Sequence, residues 1–242
     1  MIEMGKTDFE PRVIAFCCNW RAYVGADTAG TSRLQYPSNI RIIRVMCCGR
    51  MDPTFVLSAF SWGADGVMIL GCHPGDCNYL KGNFMAEKRI QFLRQALRHM
   101  GIEEERLKLD WVSASEGHKF AYLANEMVGK LKELGPIKPK LEETVGAFRT
   151  ERLRWVMGLA HMEPKIERKR YFAKTGEIMK DEIERQTIIG KIKEKGPMTV
   201  RELSEATNIA TDRILRHIIA LRKVGTISEA GEKEDEYLYQ VM

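Results

Sequence analysis

The chain has 242 residues, of which 44% are hydrophobic and 29% are charged, with a formal net charge of +5. This composition is typical of a soluble protein of one large or two modest domains. No apolar run approaches the roughly 18 residues of a membrane span, and acidic residues stand where a signal peptide would be basic. The sequence therefore predicts a cytoplasmic protein with no membrane segment.

The first half of the chain repeats short, β-branched apolar runs that read as strands. They lie at residues 12–16, 40–46 and 66–71, with a weaker fourth at 107–112. A stretch with helical spacing follows each run. Asp52 and Pro53 form a helix start after the second, and Ser115 can cap a helix that reaches about Leu134. Apolar strands that alternate with helices indicate a parallel sheet covered on both faces, so we predict a small doubly wound α/β domain over residues 1–135.

A polar segment separates this domain from the tail. The stretch ELGPIKPKLEE, which starts at residue 133, carries two prolines and a glycine among charges and breaks the pattern. Residues 149–180 contain nine Lys and Arg against four Asp and Glu, which accounts for the net charge of the chain. We predict a helical, basic linker over residues 136–181.

The tail has the pattern of a small helical domain with a hairpin. An amphipathic helix begins at about residue 182 and ends at Gly196, and Thr199 and Glu202 have the spacing of a capping box. A third helix follows, and the last residues read as a β-hairpin. This order of elements resembles a winged helix, so we predict a winged-helix-like domain over residues 182–242.

All six cysteines stand at the carboxyl ends of the first three predicted strands. Cys17 and Cys18 end the first, Cys47 and Cys48 follow the second, and Cys72 follows the third with Cys77 five residues on. In a doubly wound sheet those ends face one edge, where ligands bind. Three distant segments are therefore expected to bring thiols to one place.

Several chemistries are open to such a group of thiols. A single buried cysteine is commonly a small core residue. Zinc takes tetrahedral thiolates, but often from C-x2-C pairs that are tighter than the spacing of Cys72 and Cys77. An iron–sulfur cluster takes up to four thiolates from loops. Thiol catalysis by Cys72 and Cys77 needs a basic partner, for which His73 and His118 are the candidates.

Several long motifs carry a family resemblance. FCCNW, GADTAG, QYPSNIRIIRVMCCGRMDP, GADGVMILGCHPGDC and WVSASEGHKF, which span about residues 10–135, resemble the iron–sulfur delta subunit of methyl-viologen-reducing hydrogenase. The resemblance implies a non-catalytic component of an oxidoreductase complex that holds a [2Fe–2S] cluster. It implies electron transfer from a hydrogenase or formate dehydrogenase to the flavin-containing A subunit of heterodisulfide reductase, in electron-bifurcating methanogenic metabolism.

Two departures from the family pattern bear on the cluster ligands. Where the family usually reads CCNWC, this chain has Arg21 in place of the third cysteine, and where the family reads MCSGR it has Cys48. If the missing cysteine were a ligand, Cys48 would replace it. We favour the simpler reading in which neither position is a ligand. The ligands are then drawn from a set of five: Cys17, Cys18, Cys47, Cys72 and Cys77.

Within that set, we predict Cys47, Cys72 and Cys77 as three ligands. The pair Cys17–Cys18 is predicted to supply the fourth.

A second function of a different class is a redox-sensing regulator that binds DNA through the winged helix. The third helix supplies basic residues that would suit this role. The predicted hairpin instead carries five carboxylates, Glu229, Glu232, Glu234, Asp235 and Glu236, which would repel phosphates. Nucleic acid is therefore an unlikely partner, and we predict that the tail docks proteins.

Overall fold

A computed structural model describes residues 9–137 and 168–242, with the side chains of residues 168–172 left aside. The chain divides into two compact units, and the two described ranges belong to different units. The predicted linker at 136–181 lies largely outside the described residues. Within the described part, none of the helices combines the length and the apolar character needed to cross a bilayer.

The N-terminal unit is a four-stranded parallel sheet with helices between its strands, which confirms the predicted α/β class. Its elements in chain order are β1 (Val13–Cys18), α1 (Ala22–Thr31), β2 (Ile40–Val45), α2 (Pro53–Ser61), β3 (Gly66–Gly71), α3 (Gly82–His99), β4 (Leu107–Trp111) and α4 (Gly117–Leu134). The strand order is β2-β1-β3-β4, so β1 and β3 are central. Every residue of β3 is buried, whereas the edge strand β2 is largely accessible.

The two faces of the sheet bury different helices. Val13, Ala15, Met68 and Leu70 form one core with α1 and α4, and α2 and α3 pack on the other side of β3 and β4. Because successive strand residues point to opposite faces, this alternation decides on which side each β1 side chain lies. The carboxyl ends of all four strands meet at one edge, as the parallel order requires.

Helix starts at this edge agree with the sequence in one case and differ in another. Asp52 caps α2 by accepting the Thr54 N–H at 2.9 Å, as predicted. Ser115 does not cap α4, which begins at Gly117. The Glu116 carboxylate accepts the Ser113 N–H at 2.7 Å instead, so the turn before α4 is closed by a side chain from within it.

The described part of the C-terminal unit, residues 168–242, consists of three helices followed by an antiparallel hairpin. These are α5 (Arg168–Lys195), α6 (Val200–Thr207), α7 (Thr211–Lys223), β5 (Ile227–Lys233) and β6 (Glu236–Val241). Thr199 and Glu202 form the predicted capping box at the start of α6. Helix α5 is longer than the sequence indicated, because it runs without a break through the predicted boundary at residue 181.

The core of this unit joins all of its elements. It contains Ile188, Ile192, Leu203, Ile214, Ile218, Leu221, Ile227 and Tyr239. Ile214, Ile218 and Leu221, which are spaced three or four residues apart on α7, are all buried. The amphipathic spacing of these helices was therefore a sound guide to the buried side.

Candidate metal centre

All six cysteines are free thiols that are buried at the carboxyl edge of the parallel sheet. None has more than 8% of its surface exposed. Cys17 and Cys18 are the last residues of β1, Cys47 and Cys48 lie at the turn after β2, and Cys72 directly follows β3. Cys77 follows on the loop that leads to α3.

One sulfur pair joins the ends of the two central strands. The Sγ atoms of Cys18 and Cys72 are 3.4 Å apart, although the residues are 54 positions apart in sequence. The Ala22 N–H also donates to Cys18 Sγ at 3.4 Å. Cys18 therefore stands between a neighbouring thiol and the first turn of α1.

A second sulfur pair lies at the start of α3. The Cys77 thiol lies close enough to Cys47 to lower the pKa of the Cys47 thiol. Both sulfurs flank Gly82, because a Cβ atom added to Gly82 would overlap Cys47 Sγ and lie 3.0 Å from Cys77 Sγ. Glycine at this position keeps open the space beside the two sulfurs.

Cys48 links the two pairs. Its thiol is hydrogen-bonded to Cys47 and interacts electrostatically with Cys18 and Cys72. A Cβ atom at Gly71 would lie 2.6 Å from Cys48 Sγ, so a second glycine also gives room to a cysteine. The position that sequence reasoning left out of the ligand set thus stands among the other thiols.

Cys17 has a different environment from its neighbour in sequence. It belongs to the same core cluster as the four other cysteines predicted as ligands, and it is fully buried. Burial, with a smaller contribution from Cys18, raises its thiol pKa to about 12. Its only thiol neighbour among these electrostatic contributions is Cys18, so Cys17 is the least suited of the predicted ligands.

The hydrogen bonds around Cys18 favour its thiolate. The bond from Cys72 is the largest cause that lowers the Cys18 pKa to about 6, and backbone N–H groups of residues 20–22 add to it against the opposing effect of burial. The same bond raises the pKa of Cys72. The contact between the two sulfurs therefore shifts their pKa values in opposite directions.

The second group of thiols repeats this arrangement. The hydrogen bond from Cys48 is the largest cause that lowers the Cys47 pKa to about 6, and the Gly49 N–H, Cys77 and the Arg89 guanidinium act in the same direction. The pKa of Cys48 is correspondingly raised. Since the thiolate is the form that binds metals, the lowered pKa values of Cys18 and Cys47 favour metal binding.

Three side chains fix the loops that carry the cysteines. Asn83, which is 1% exposed, donates to the carbonyls of Cys72 at 3.3 Å and His73 at 2.7 Å. Arg89 donates to the carbonyls of Gly49 at 2.5 Å and Met51 at 3.2 Å. His73 Nε2 lies 2.7 Å from Glu116 Oε2, and the Ser113 N–H and His73 lower the Glu116 pKa.

These supporting residues were not identified from the sequence. Asn83 and Arg89 lie on α3, and nothing in their local pattern indicates that they reach back to loops as many as 40 residues away. Gly82, which precedes Asn83, is only a weak sequence signal for these contacts. His73, proposed as a base for thiol catalysis, is engaged with a carboxylate rather than with Cys72 or Cys77.

The donor set fits an iron–sulfur cluster. Thiolates come from three separate loops, backbone N–H groups point at the sulfurs, and glycines leave space beside them. These are the features that such clusters need. Four thiolates also satisfy zinc, so the donor atoms alone do not distinguish the two metals.

The C-terminal unit contains one further group of possible ligands among its described residues, Asp181, Glu184 and His217. Arg213 already occupies the two carboxylates, at 3.0 Å from Asp181 and 2.8 Å from Glu184. His217 Nε2 lies 2.7 Å from Glu184. This group is an ion-pair network that ties α7 to α5.

Comparison with known proteins gives one consistent result for the N-terminal unit. Residues 13–135 match the family described as methyl-viologen-reducing hydrogenase, delta subunit. The chain is 52% identical over 139 residues to the iron-sulfur D subunit of the vhc F420-non-reducing hydrogenase of Methanococcus voltae, a match that covers 57% of this chain and 95% of that protein. It is 44% identical over 131 residues to the iron-sulfur D subunit of the F420-non-reducing hydrogenase of Archaeoglobus profundus, over 54% of this chain and 96% of that one.

A similar stretch also occurs inside a longer protein. The chain is 46% identical over 132 residues to the A subunit of the ferredoxin:CoB-CoM heterodisulfide reductase of Methanosarcina mazei. That match covers 54% of this chain but only 17% of the longer protein. The described residues 168–242 lie outside the family match at 13–135.

Proposed function

Because the chain belongs to the delta-subunit family of methyl-viologen-reducing hydrogenases, we propose that it is a non-catalytic electron-transfer protein with one [2Fe–2S] cluster. It passes electrons from a hydrogenase or a formate dehydrogenase to the flavin-containing A subunit of heterodisulfide reductase. The relay belongs to an electron-bifurcating complex in the cytoplasm of a methanogenic organism. Relatives named as iron-sulfur subunits of hydrogenases and as the A subunit of heterodisulfide reductase support this assignment.

The observation that carries the proposal is the meeting of thiols from three strand ends. A [2Fe–2S] cluster needs four thiolates, and the two sulfur pairs supply them: Cys18 with Cys72, and Cys47 with Cys77. Cys18 rather than Cys17 is then the ligand from the first strand, because Cys18 Sγ lies 3.4 Å from Cys72 Sγ. Cys48 remains as a fifth thiol that donates to Cys47.

The protein contributes charge stabilisation and fixed geometry to such a cluster. The cluster itself, when bound, accepts and releases single electrons. Backbone N–H groups near Cys18 and the Arg89 guanidinium near Cys47 favour negatively charged sulfur. Asn83 and Arg89 hold the loops after β3 and β2, so the ligands keep their positions as the charge changes.

The alternative of a DNA-binding regulator has less support. We propose that the C-terminal unit is winged-helix-like, since three helices precede a hairpin. The outward face of α7 nevertheless presents Leu215 and Ile219, which are 47% and 60% exposed. A helix that reads a DNA groove presents polar and basic side chains instead.

The basic residues of α7 are also partly engaged. Arg213 binds Glu184 and Asp181, and Arg222 binds Glu229 of the hairpin at 2.6 Å. The hairpin also carries the four further carboxylates that the sequence places there. This surface is better suited to a protein than to phosphates, and we keep protein docking as its proposed role.

One experiment tests the cluster. The protein is purified under anaerobic conditions, iron and acid-labile sulfide are counted, and the EPR spectrum of the reduced form is recorded. Two irons and two sulfides per chain with a rhombic signal are expected. Bound zinc without sulfide would refute the proposed cluster. If the protein binds iron but an anaerobic pull-down does not recover the expected partners, the cluster assignment stands and the proposed complex is refuted.

A further inference from the structure

Large apolar side chains are exposed around the cysteine loops. Trp20 follows Cys18, Met46 precedes Cys47, Tyr79 and Leu80 follow Cys77, and Phe84 lies in the first turn of α3. These five residues, called the apolar rim below, range from 40% exposed for Trp20 to 80% for Leu80. Exposed apolar groups of this size at one edge are a mark of an interaction surface.

The rim borders the sulfurs directly. The rings of Trp20 and Tyr79 meet edge to face with centroids 6.5 Å apart, and Trp20 Nε1 lies 3.4 Å from the Tyr79 hydroxyl. This contact joins the loops after β1 and β3. Phe84 lies two residues after Gly82, the glycine that separates Cys47 from Cys77. A partner that covered the rim would therefore lie against the buried thiols.

Leu80 holds an unusual backbone conformation within the rim. Its φ is +63°, in the left-handed region that glycine adopts freely and branched side chains adopt at a cost. The loop is held there by the Leu80 N–H, which donates to the Cys77 carbonyl at 2.9 Å. Since the side chain is 80% exposed, little packing within the described part of this unit offsets the cost.

The charges around the rim are mainly basic. Arg44, Arg50 and Lys81 are exposed and Arg21 is half-buried at this edge. Two carboxylates of the same loops are bound within the fold, Asp52 by Thr54 and Glu116 by His73. Asp76 is the exposed carboxylate of the loop between Cys72 and Cys77. A complementary surface would carry acidic side chains around an apolar patch.

We infer that the apolar rim is the docking surface for a redox protein whose electron-carrying group lies beneath an apolar patch bordered by carboxylates. This inference rests on the proposed function. The cysteines are at most 8% exposed, so electrons have to pass through the layer that the rim covers. A partner bound to the rim would remove water from that layer and hold the cluster at a fixed distance from the partner's electron-carrying group.

The similar stretch within the Methanosarcina mazei protein supports a partner of this class. There, the stretch forms 17% of a chain named as the A subunit of a heterodisulfide reductase. In that protein the similar stretch is therefore joined covalently to an oxidoreductase chain. A separate chain such as this one needs a non-covalent surface for the same association.

Leu80→Gly is the most informative variant. It removes the exposed side chain and introduces glycine, which adopts this positive φ freely. If Leu80 has only a structural role, the thermal stability is expected to stay equal or rise, with no other change. Docking at the rim predicts unchanged iron content and EPR spectrum and an unchanged or higher Tm. It also predicts that the Kd for the heterodisulfide reductase A subunit of the same organism rises about tenfold or more.

Trp62→Ala is the matched control. Trp62 is 86% exposed but stands between α2 and the start of β3, at the opposite edge of the sheet. Its loss should leave the Kd unchanged. A second variant, Lys81→Glu, should weaken binding and reduce its dependence on salt, because it removes a charge attraction.

Three outcomes would overturn the inference. The first is an equal Kd of wild type and Leu80→Gly for the heterodisulfide reductase A subunit. The second is a loss of affinity in Trp62→Ala as large as that in Leu80→Gly. The third is a wild-type dimer in sedimentation that becomes a monomer in Leu80→Gly. The last result would make the rim an interface between two copies of the chain. Failure of the proposed function is seen separately, as wild-type protein that binds no iron before any partner is added.

Discussion

At the scale of single residues, two adjacent cysteines on one strand have different surroundings. Cys17 is buried in the core under α1 and α4, whereas Cys18 Sγ is 3.4 Å from Cys72 Sγ. Cys18 also accepts the Ala22 N–H at 3.4 Å, whereas burial raises the pKa of the Cys17 thiol to about 12. The pair therefore offers an internal test of which thiols belong to the metal centre.

We expect Cys18→Ala to lose most of the bound iron, because the first strand then has no thiol at the site. Cys17→Ala should keep the iron and lower the free energy of unfolding by roughly 1–3 kcal/mol through lost core packing. Iron analysis and urea unfolding of both variants measure this difference. Iron retained by Cys18→Ala and lost by Cys17→Ala would show that the assignment is reversed.

Gly82 permits a second prediction at this scale. A Cβ at this position would overlap Cys47 Sγ and approach Cys77 Sγ. We therefore expect Gly82→Ala to displace these ligands and to reduce the iron content and the visible absorbance by more than half. Gly129→Ala, in α4 with open space around it, is the control and should be neutral or stabilising. Equal iron in the two variants would argue against the second sulfur pair.

At the scale of elements, the parallel sheet was readable from sequence, but the contacts of its loops were not. Apolar runs that end in cysteine identified three strands and the edge where thiols meet. Which member of the pair Cys17–Cys18 meets Cys72 depends on a contact between residues 54 positions apart, which local spacing does not report. Cys48 is brought among the thiols by a short 3-10 turn, Cys48–Arg50, that Arg89 of α3 holds from 40 residues away.

The starts of the helices show the same difference between local interactions, which could be predicted, and contacts between distant segments, which could not. Asp52 with Pro53, and Thr199 with Glu202, marked real helix starts because capping is a local interaction. Ser115 did not, because the nearby Glu116 is held by Ser113 and by His73 from another loop. Local signals predicted local bonds, and contacts between distant segments changed the remaining cases.

The capping box of α6 gives a prediction for the C-terminal unit. Thr199→Ala removes the acceptor for the Glu202 N–H and should lower the free energy of unfolding of this unit by about 1 kcal/mol. Lys233→Ala removes the other partner of Glu202, an exposed ion pair, and should have a smaller effect than the loss of the cap. Thermal unfolding followed by circular dichroism compares the two; a larger effect of Lys233→Ala would contradict the capping account.

At the scale of the whole molecule, the two units present different surfaces. The N-terminal unit has an apolar rim with basic neighbours, and the C-terminal unit has an apolar helix face beside an acidic hairpin. Both surfaces have the character of protein-binding sites. Neither of them is the continuous basic face that nucleic acids require.

The full-length protein with its cluster should bind a random-sequence DNA duplex no more tightly than about 10⁻⁴ M at physiological salt. A variant with Glu232, Glu234 and Glu236 changed to lysine is the matched comparison and should bind more tightly, with a steeper dependence on salt. Fluorescence anisotropy measures both. Nanomolar binding of a genomic site by the wild type would restore the regulator hypothesis.

The sulfur pair formed by Cys18 and Cys72 also constrains how the protein is made. Its members lie 54 residues apart, and β1 and β3 must already be paired before the two thiols can meet. A short zinc motif can gather its metal while it folds, but this site cannot form before the chain has been synthesised beyond Cys77. We expect the metal-free protein to have the circular dichroism spectrum of a folded domain and to take up iron and sulfide without refolding. Cluster delivery would then be a late step, carried out on a finished surface that the redox partner has not yet covered.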